Sequence, residues 1–177
     1  MNFWLDKVMA MKFYTKILIA IGSLIVLWIG TSAFIVFFVA RPVRIEGKAM
    51  MPGLNDRDRV LFRNRSAGDP LMRGDVVILY YPEDITKSYV KRVVGLPGEK
   101  IVITKEHVFI NDKVLTENYL AQAEIGYLRP PTEAQIPAEH YFVLGDNRNF
   151  SSDSRNFGTV PDHLIYGKML FRYAAAK

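Results

Sequence analysis

The chain falls into two hydropathy regimes that meet near residue 40. From Ile17 to Ala40, ILIAIGSLIVLWIGTSAFIVFFVA runs 24 positions without a charge. A helix rising ~1.5 Å per residue makes that run about 36 Å long, enough for a ~30 Å hydrocarbon core with modest tilt. The run is too long for the apolar part of a cleaved leader, and FVARP is a poor small-x-small exit, so residues 17–40 are expected to be a transmembrane signal anchor. Residues 1–16, MNFWLDKVMAMKFYTK, mix aromatics with lysines, which suits a segment at the membrane surface.

Beyond Ala40 the apolar residues come in short runs punctuated by turn formers. RGDVVILYY (73–81) is a turn followed by a β-branched and aromatic run. YVKRVVGLPGEKIVIT (89–104) holds two such runs, broken by Gly95, Pro97 and Gly98. HVFINDKVL (107–115) places Asn-Asp between apolar stretches and predicts a hairpin, and HYFVLGDN (140–147) is a strand ending in a turn. LRPPTEAQIP (128–137) has loop chemistry, and no long stretch after Ala40 has a helical period. The expectation for 41–177 is a mainly β domain, an antiparallel sandwich or partly closed barrel.

Composition narrows this picture only in places. Half of the 177 residues are hydrophobic, enough for a real core. The absence of cysteine excludes disulfides and thiolate metal sites. The net charge of +5 is spread without a run of five basic residues, the pattern of a solvated surface. Lys7, Lys12 and Lys16 precede the apolar run and Arg41 and Arg44 follow it, a balance that leans toward a cytoplasmic N-terminus. The remaining domain would then lie on the extracytoplasmic side.

Candidate chemistry gathers at two places. In SYVKRVVG, alternation puts Tyr89, Lys91 and Val93 on one strand face and Val90, Arg92 and Val94 on the other. A strand lysine is commonly a solvated edge residue. A buried one would have its ammonium disfavoured and its pKa lowered from about 10.4, leaving a general base near neutral pH. GDNRNFSSDSRNFG (145–158) reads either as a polar loop or as a buried cluster in which Asp146, Arg148, Asp153 and Arg155 pair. His107, His140 and His163 are scattered without ligand spacing, which speaks against zinc or Ser-His chemistry.

In order and spacing, four stretches resemble the bacterial type I signal peptidases, membrane-anchored serine proteases with a Ser-Lys dyad. EGKAMMPGL (46–54) is similar to the family's nucleophile box, and RGDVVILY (73–80) to its Arg-Gly-Asp-Val box. YVKRVVGLPGEKI (89–101) is similar to its general-base box, and GDNRNFSSDSRNFG to its last box. The resemblance implies that Lys91 is the general base and that Ser151 directs its amine. Asp153, Arg155, Asp146 and Arg148 would form the ion-paired scaffold. The N–H at position 49 would serve the oxyanion hole. Gly47 stands where some members add a serine hydroxyl, and Gly53 where a threonine is usual. The substrate would pair as a strand with backbone around Val43 to Glu46 and Lys87 to Val90. Pockets lined by Ile45, Met50, Leu54, Tyr89 and Val90 would take small residues, the family's small-x-small preference. Implied partners are signal-peptide-bearing preproteins and membrane lipids. No cofactor, metal or nucleic acid is implied, and an apolar span stands where a self-cleaving repressor would need a DNA-reading module.

One position departs from the pattern. Ala49 occupies the place of the nucleophilic serine. Without an oxygen there no acyl-enzyme forms, and the chain is expected to bind precursors without cleaving them. Either the serine was exchanged deliberately, or the chain is a natural homologue that has lost activity. The retention of Lys91, Ser151, Asp153 and Arg155 favours the exchange, since an unused buried charge only costs stability. The tail RYAAAK (172–177) is expected to be a frayed end, with occupation of a cleft as the alternative.

Overall fold

The computed structural model describes residues 3–120 and 132–175. It separates into two compact units, residues 1–40 and 41–177. The first unit is a single helix, α1 (Phe3–Val39), continuous across the boundary expected at residue 16. Within it, Tyr14–Ser32 is long and apolar enough to cross a membrane, with a mean hydropathy of 1.7 and its side chains outside any protein core. Such a helix has no polar face to separate from an apolar one, which is the pattern of a segment surrounded by lipid.

The second unit is built from antiparallel sheets. The strands are β1 (Ala40–Arg44), β2 (Arg59–Asn64), β3 (Val76–Tyr81), β4 (Asp84–Gly95), β5 (Lys100–Ile103), β6 (Val108–Ile110), β7 (Lys113–Val114), β8 (Thr132–Gln135), β9 (His140–Leu144), β10 (Val160–Pro161) and β11 (Ile165–Ala174). Seven form one sheet in the order β1-β2-β11-β3-β4-β9-β10, and four form another in the order β7-β6-β5-β8. Both sheets are antiparallel, as expected, and neither closes into a barrel. A four-residue helix, α2 (Ser154–Phe157), and a 3-10 turn (Asp162–Leu164) interrupt the strands.

Alternation along the central strands divides the core. Val93, Tyr141 and Val143 join Val77 and Leu79 on one face of the large sheet. On the other face, Val94, Phe142 and Leu144 pack with Ile101, Ile103, Val108 and Ile110 of the small sheet. Val76 and Ile78 reach a third cluster with Ile45, Met50, Leu54, Val60 and Phe62. Burial on both faces accounts for the unbroken apolar run VVIL in β3.

The hairpin between β6 and β7 turns at Asn111 and Asp112, both at positive φ, as short hairpins of this type require. The loop expectation for 128–137 is corrected in part. Thr132–Gln135 is a strand paired with β5, Ile101 facing Ala134. Its backbone is in register although its side chains lack β-branched and aromatic residues beyond Thr132. Residues 128–131 lie outside the described residues, as do 176 and 177 of the tail. Arg172 to Ala174 of that tail belong to β11, with Ala174 facing Arg59.

Candidate active site

Lys91 sits in the middle of β4, opposite Val77 of β3. The next residue, Arg92, is paired with β3 and β9 alike, and the Lys91 side chain is only 4% exposed. Its Nζ lies 5.1 Å from the centre of the Tyr89 ring. Tyr89 in turn packs on Tyr81 and Phe157. Burial pushes the Lys91 amine down from 10.5 to about 8. Asp153 and Asp146 raise it and Arg155 lowers it, and together they leave the desolvation dominant.

A cleft of about 350 Å³ opens beside this amine. Its walls include Ala49, Met50, Lys91 and Ser152, with Val43 to Glu46 on one side and Ile78 and Ser88 to Val90 on the other. Ile78 and Ser152 are wall residues that sequence patterning did not single out. Leu54, expected to line a pocket, is not in the wall, and neither is Gly47. Leu54 is buried behind it with Ile45 and Met50, and Gly47 donates its N–H to Asp56 Oδ1 at 2.8 Å. The turn carrying Ala49 is fixed by Asn147, whose N–H donates to the Ala49 carbonyl at 3.0 Å. Contact is closest at Gly145, where a Cβ would stand 2.2 Å from Ser151 Oγ and 2.6 Å from the Ala49 oxygen. Any side chain there would separate position 49 from Ser151.

Within the loop 145–158, Asp146, Asn147, Arg148, Ser151, Asp153 and Ser154 form a buried polar layer. Asp153 caps α2, its carboxylate accepting the Arg155 N–H while the Asn156 side chain accepts its own N–H. The same carboxylate takes the Gly145 N–H at 3.1 Å and Arg155 Nε and Nη2 at 2.8 Å each. Burial works against its charge, yet Arg155, Gly145 and the Ser151 hydroxyl hold it below the usual carboxylate range. The paired-cluster reading of the loop had its four charges pairing among themselves; among the described residues, Asp153 and Arg155 do so. Asp146 is forked by Arg92 at 2.7 and 2.6 Å, and Arg148 meets Glu117. Glu117 and Ser154, whose hydroxyl accepts the buried Val143 N–H at 3.0 Å, carried no signal in sequence. Gly53 packs against the Arg92–Asp146 pair, where a Cβ would lie 2.7 Å from Asp146 Oδ2.

A buried amine of lowered pKa, set in the wall of an open cleft beside a fixed turn, is equipped for proton transfer from a group on that turn. Comparison with known proteins identifies the scaffold. The family profile described as "Signal peptidase, peptidase S26" matches residues 18–174. The chain belongs to the signal peptidase family.

Relatives agree over most of their length. Signal peptidase I of Leptolyngbya laminosa is 36% identical, over 86% of this chain and 76% of its own. Signal peptidase I U of Bacillus subtilis (strain 168) is also 36% identical, covering 86% of this chain and 88% of the relative. Signal peptidase I of Bacillus amyloliquefaciens is 34% identical over 85% and 82%. Among solved structures, a crystal structure of a signal peptidase I from Enterococcus faecalis V583 is similar. Its TM-score is 0.52 at 31% identity, over 58% of this chain and 98% of that one. The signal peptidase scaffold is thus present, with alanine at position 49.

Proposed function

We propose that this signal peptidase scaffold is a single-pass membrane endopeptidase whose reaction stops before its first covalent step, because position 49 holds alanine. With serine there, Lys91 would take the hydroxyl proton as the oxygen attacks the scissile carbonyl. The main-chain N–H at 49 would bind the resulting oxyanion. Lys91 would then hand the proton to the leaving amine, and water would release the acyl group by the same route in reverse. Ser151 would aim the amine, and the Asp153–Arg155 and Asp146–Arg92 pairs would hold the loop beneath it. The observation that carries this reading is the buried Lys91 amine, lowered to about 8, in the wall shared with Ala49.

The substrate reading follows from the same walls. A preprotein segment added as a strand between Val43–Glu46 and Ser88–Val90 would direct alternate side chains into the cleft, where Ile45, Met50, Ile78 and Val90 favour small apolar residues. Cleavage after small-x-small motifs of exported preproteins fits that shape. The apolar helix would anchor the chain in the bacterial cytoplasmic membrane, N-terminus inside and residues 41–177 outside. Protease protection in sealed vesicles tests the orientation, and a domain shielded on the cytoplasmic side would overturn it.

The deciding experiment is Ala49→Ser. The revertant is expected to cleave a small-x-small precursor on the order of 10⁶ times faster than the chain as it stands. Its kcat/KM should rise with pH through about 8, as Lys91 loses its proton. A folded revertant that still does not cleave would favour the second reading, to which Ala49 itself gives weight. That alternative is a natural homologue that holds signal peptides without turnover.

A further inference from the structure

A carboxylate from outside the loop completes the polar layer beneath the cleft. The chain leaves β7 through Leu115, which packs on the small-sheet core, and turns at Glu117 to Leu120. Glu117 Oε2 accepts Arg148 Nη1 at 3.0 Å, and Oε1 accepts Arg148 Nη2 at 2.5 Å. The Tyr119 hydroxyl donates to the same Oε1 at 2.5 Å, and its ring lies 4.2 Å from the guanidinium carbon of Arg92. Burial and the Glu117 carboxylate hold the Tyr119 phenol above its usual range, so it stays a donor.

Two lines connect this brace to Lys91. The first is mechanical. Arg148 Nε donates to the Gly145 carbonyl at 3.0 Å, and Gly145 is the residue wedged between Ser151 and the Ala49 backbone. The second is electrostatic. Beneath the cleft lie three guanidiniums, from Arg92, Arg148 and Arg155, against the carboxylates of Asp146, Asp153 and Glu117. Arg148 is fully buried, so water does little to screen it, and Glu117 is what balances its charge. We propose that Glu117, braced by Tyr119, is a positioning residue for the lysine base, acting through Arg148. This rests on the dyad reading above for its role in catalysis, but not for its effect on the lysine's protonation.

The test separates the two. In the chain with Ala49, the Lys91 titration is followed by NMR of the labelled amine or its neighbouring carbon. Asp153, Asp146 and Arg155 are the charged groups that act on Lys91 directly, and all are left in place. Glu117→Gln removes one negative charge and is expected to lower the midpoint by about half a unit. Arg148→Gln is expected to raise it by about as much, and the double variant to return it to the parent value. Glu99→Gln, which breaks the Arg73 pair elsewhere, is expected to leave it unmoved. In the Ala49→Ser background, Glu117→Gln should lower kcat about tenfold with KM within about twofold, and Glu117→Asp should recover part of the loss. If Glu117→Gln fails to fold, the double variant, which buries no unbalanced charge, carries the test. It should then show a parental titration beside reduced kcat, with Arg148→Gln still raising the midpoint. A Lys91 midpoint indifferent to both single changes would overturn the proposal. Inactivity of every Ala49→Ser chain would defeat the dyad reading alone.

Discussion

Lys91 and Arg92 are neighbours on β4, both withdrawn from water, and they meet opposite fates. Lys91 lies on the face shared with Val77 and Val93, with no carboxylate bonded to its amine among the described residues, and burial lowers it to about 8. Arg92 lies on the other face. Burial opposes its charge too, but the bidentate Asp146 carboxylate more than offsets that and its pKa rises. Burial therefore decides protonation only where a direct counter-charge is withheld. One strand carries an amine of lowered pKa on one side and a permanent cation on the other, and the difference is a single carboxylate's position.

The comparison breaks most sharply at Lys91. In the Ala49→Ser background, Lys91→Met is expected to lower kcat/KM on the order of 10⁴-fold, since the carboxylate in the cleft wall, Glu46, is exposed to solvent and Lys91 is the buried amine there. Precursor turnover measured across pH checks it. A Lys91→Met chain that kept the parental rate would remove the lysine from the mechanism. Next in size is Asp146→Asn, which leaves Arg92 without its forked partner. A loss of about 3–5 kcal/mol is expected from denaturant unfolding. Asp146 also raises Lys91, so in this variant the rise of kcat/KM with pH should move to lower pH. An upward movement would contradict the electrostatic account.

Much of this site was legible in sequence because its parts are local. The alternation in SYVKRVVG put Lys91 and Arg92 on opposite faces, and Asp153 and Arg155 are two residues apart, caught in the cap of one short helix. What escaped was non-local. Glu117 reaches Arg148 across 31 positions, and Arg92 reaches Asp146 across 54, distances over which no pattern of spacing carries information. Among the strands, β11 was missed because Gly167 and three register shifts break its period of two. β8 was missed because its pairing with β5 is made by backbone, with a polar outer edge. Pattern reading finds a strand through its side chains, and these two are held mainly by their neighbours.

A smaller effect sharpens the comparison on the Lys91 side through stability. The folded pKa of Lys91 is below its unfolded value, so folding must carry the cost of a buried ammonium below about pH 8. Between about 8 and 10.5 the unfolded chain binds the extra proton, and stability rises with pH. Above 10.5 both states are neutral and the cost is gone. Lys91→Met should therefore stabilise the protein by about 3 kcal/mol at pH 7, with the gain shrinking through that window. Thermal or denaturant unfolding at pH 7 and pH 11 checks it, and a gain equal at both would show that packing, not charge, was responsible.

The Arg92 side is sharpened by the least drastic change, at Gly53. A methyl group there would stand 2.7 Å from Asp146 Oδ2 and 3.4 Å from Arg92 Nη2, and the carboxylate cannot yield without loosening its fork. Gly53→Ala is expected to cost about 1–2 kcal/mol, read as a lower denaturant midpoint with an unchanged slope. If the cost is exerted on the ion pair, it must depend on that pair being present. In an Asp146→Asn background the asparagine is no longer pinned by Arg92, so the same methyl should cost clearly less than it does beside the intact pair. Strictly additive costs would mean that the methyl strains the turn that bears Ala49. The glycine would then serve that turn rather than the cation behind it.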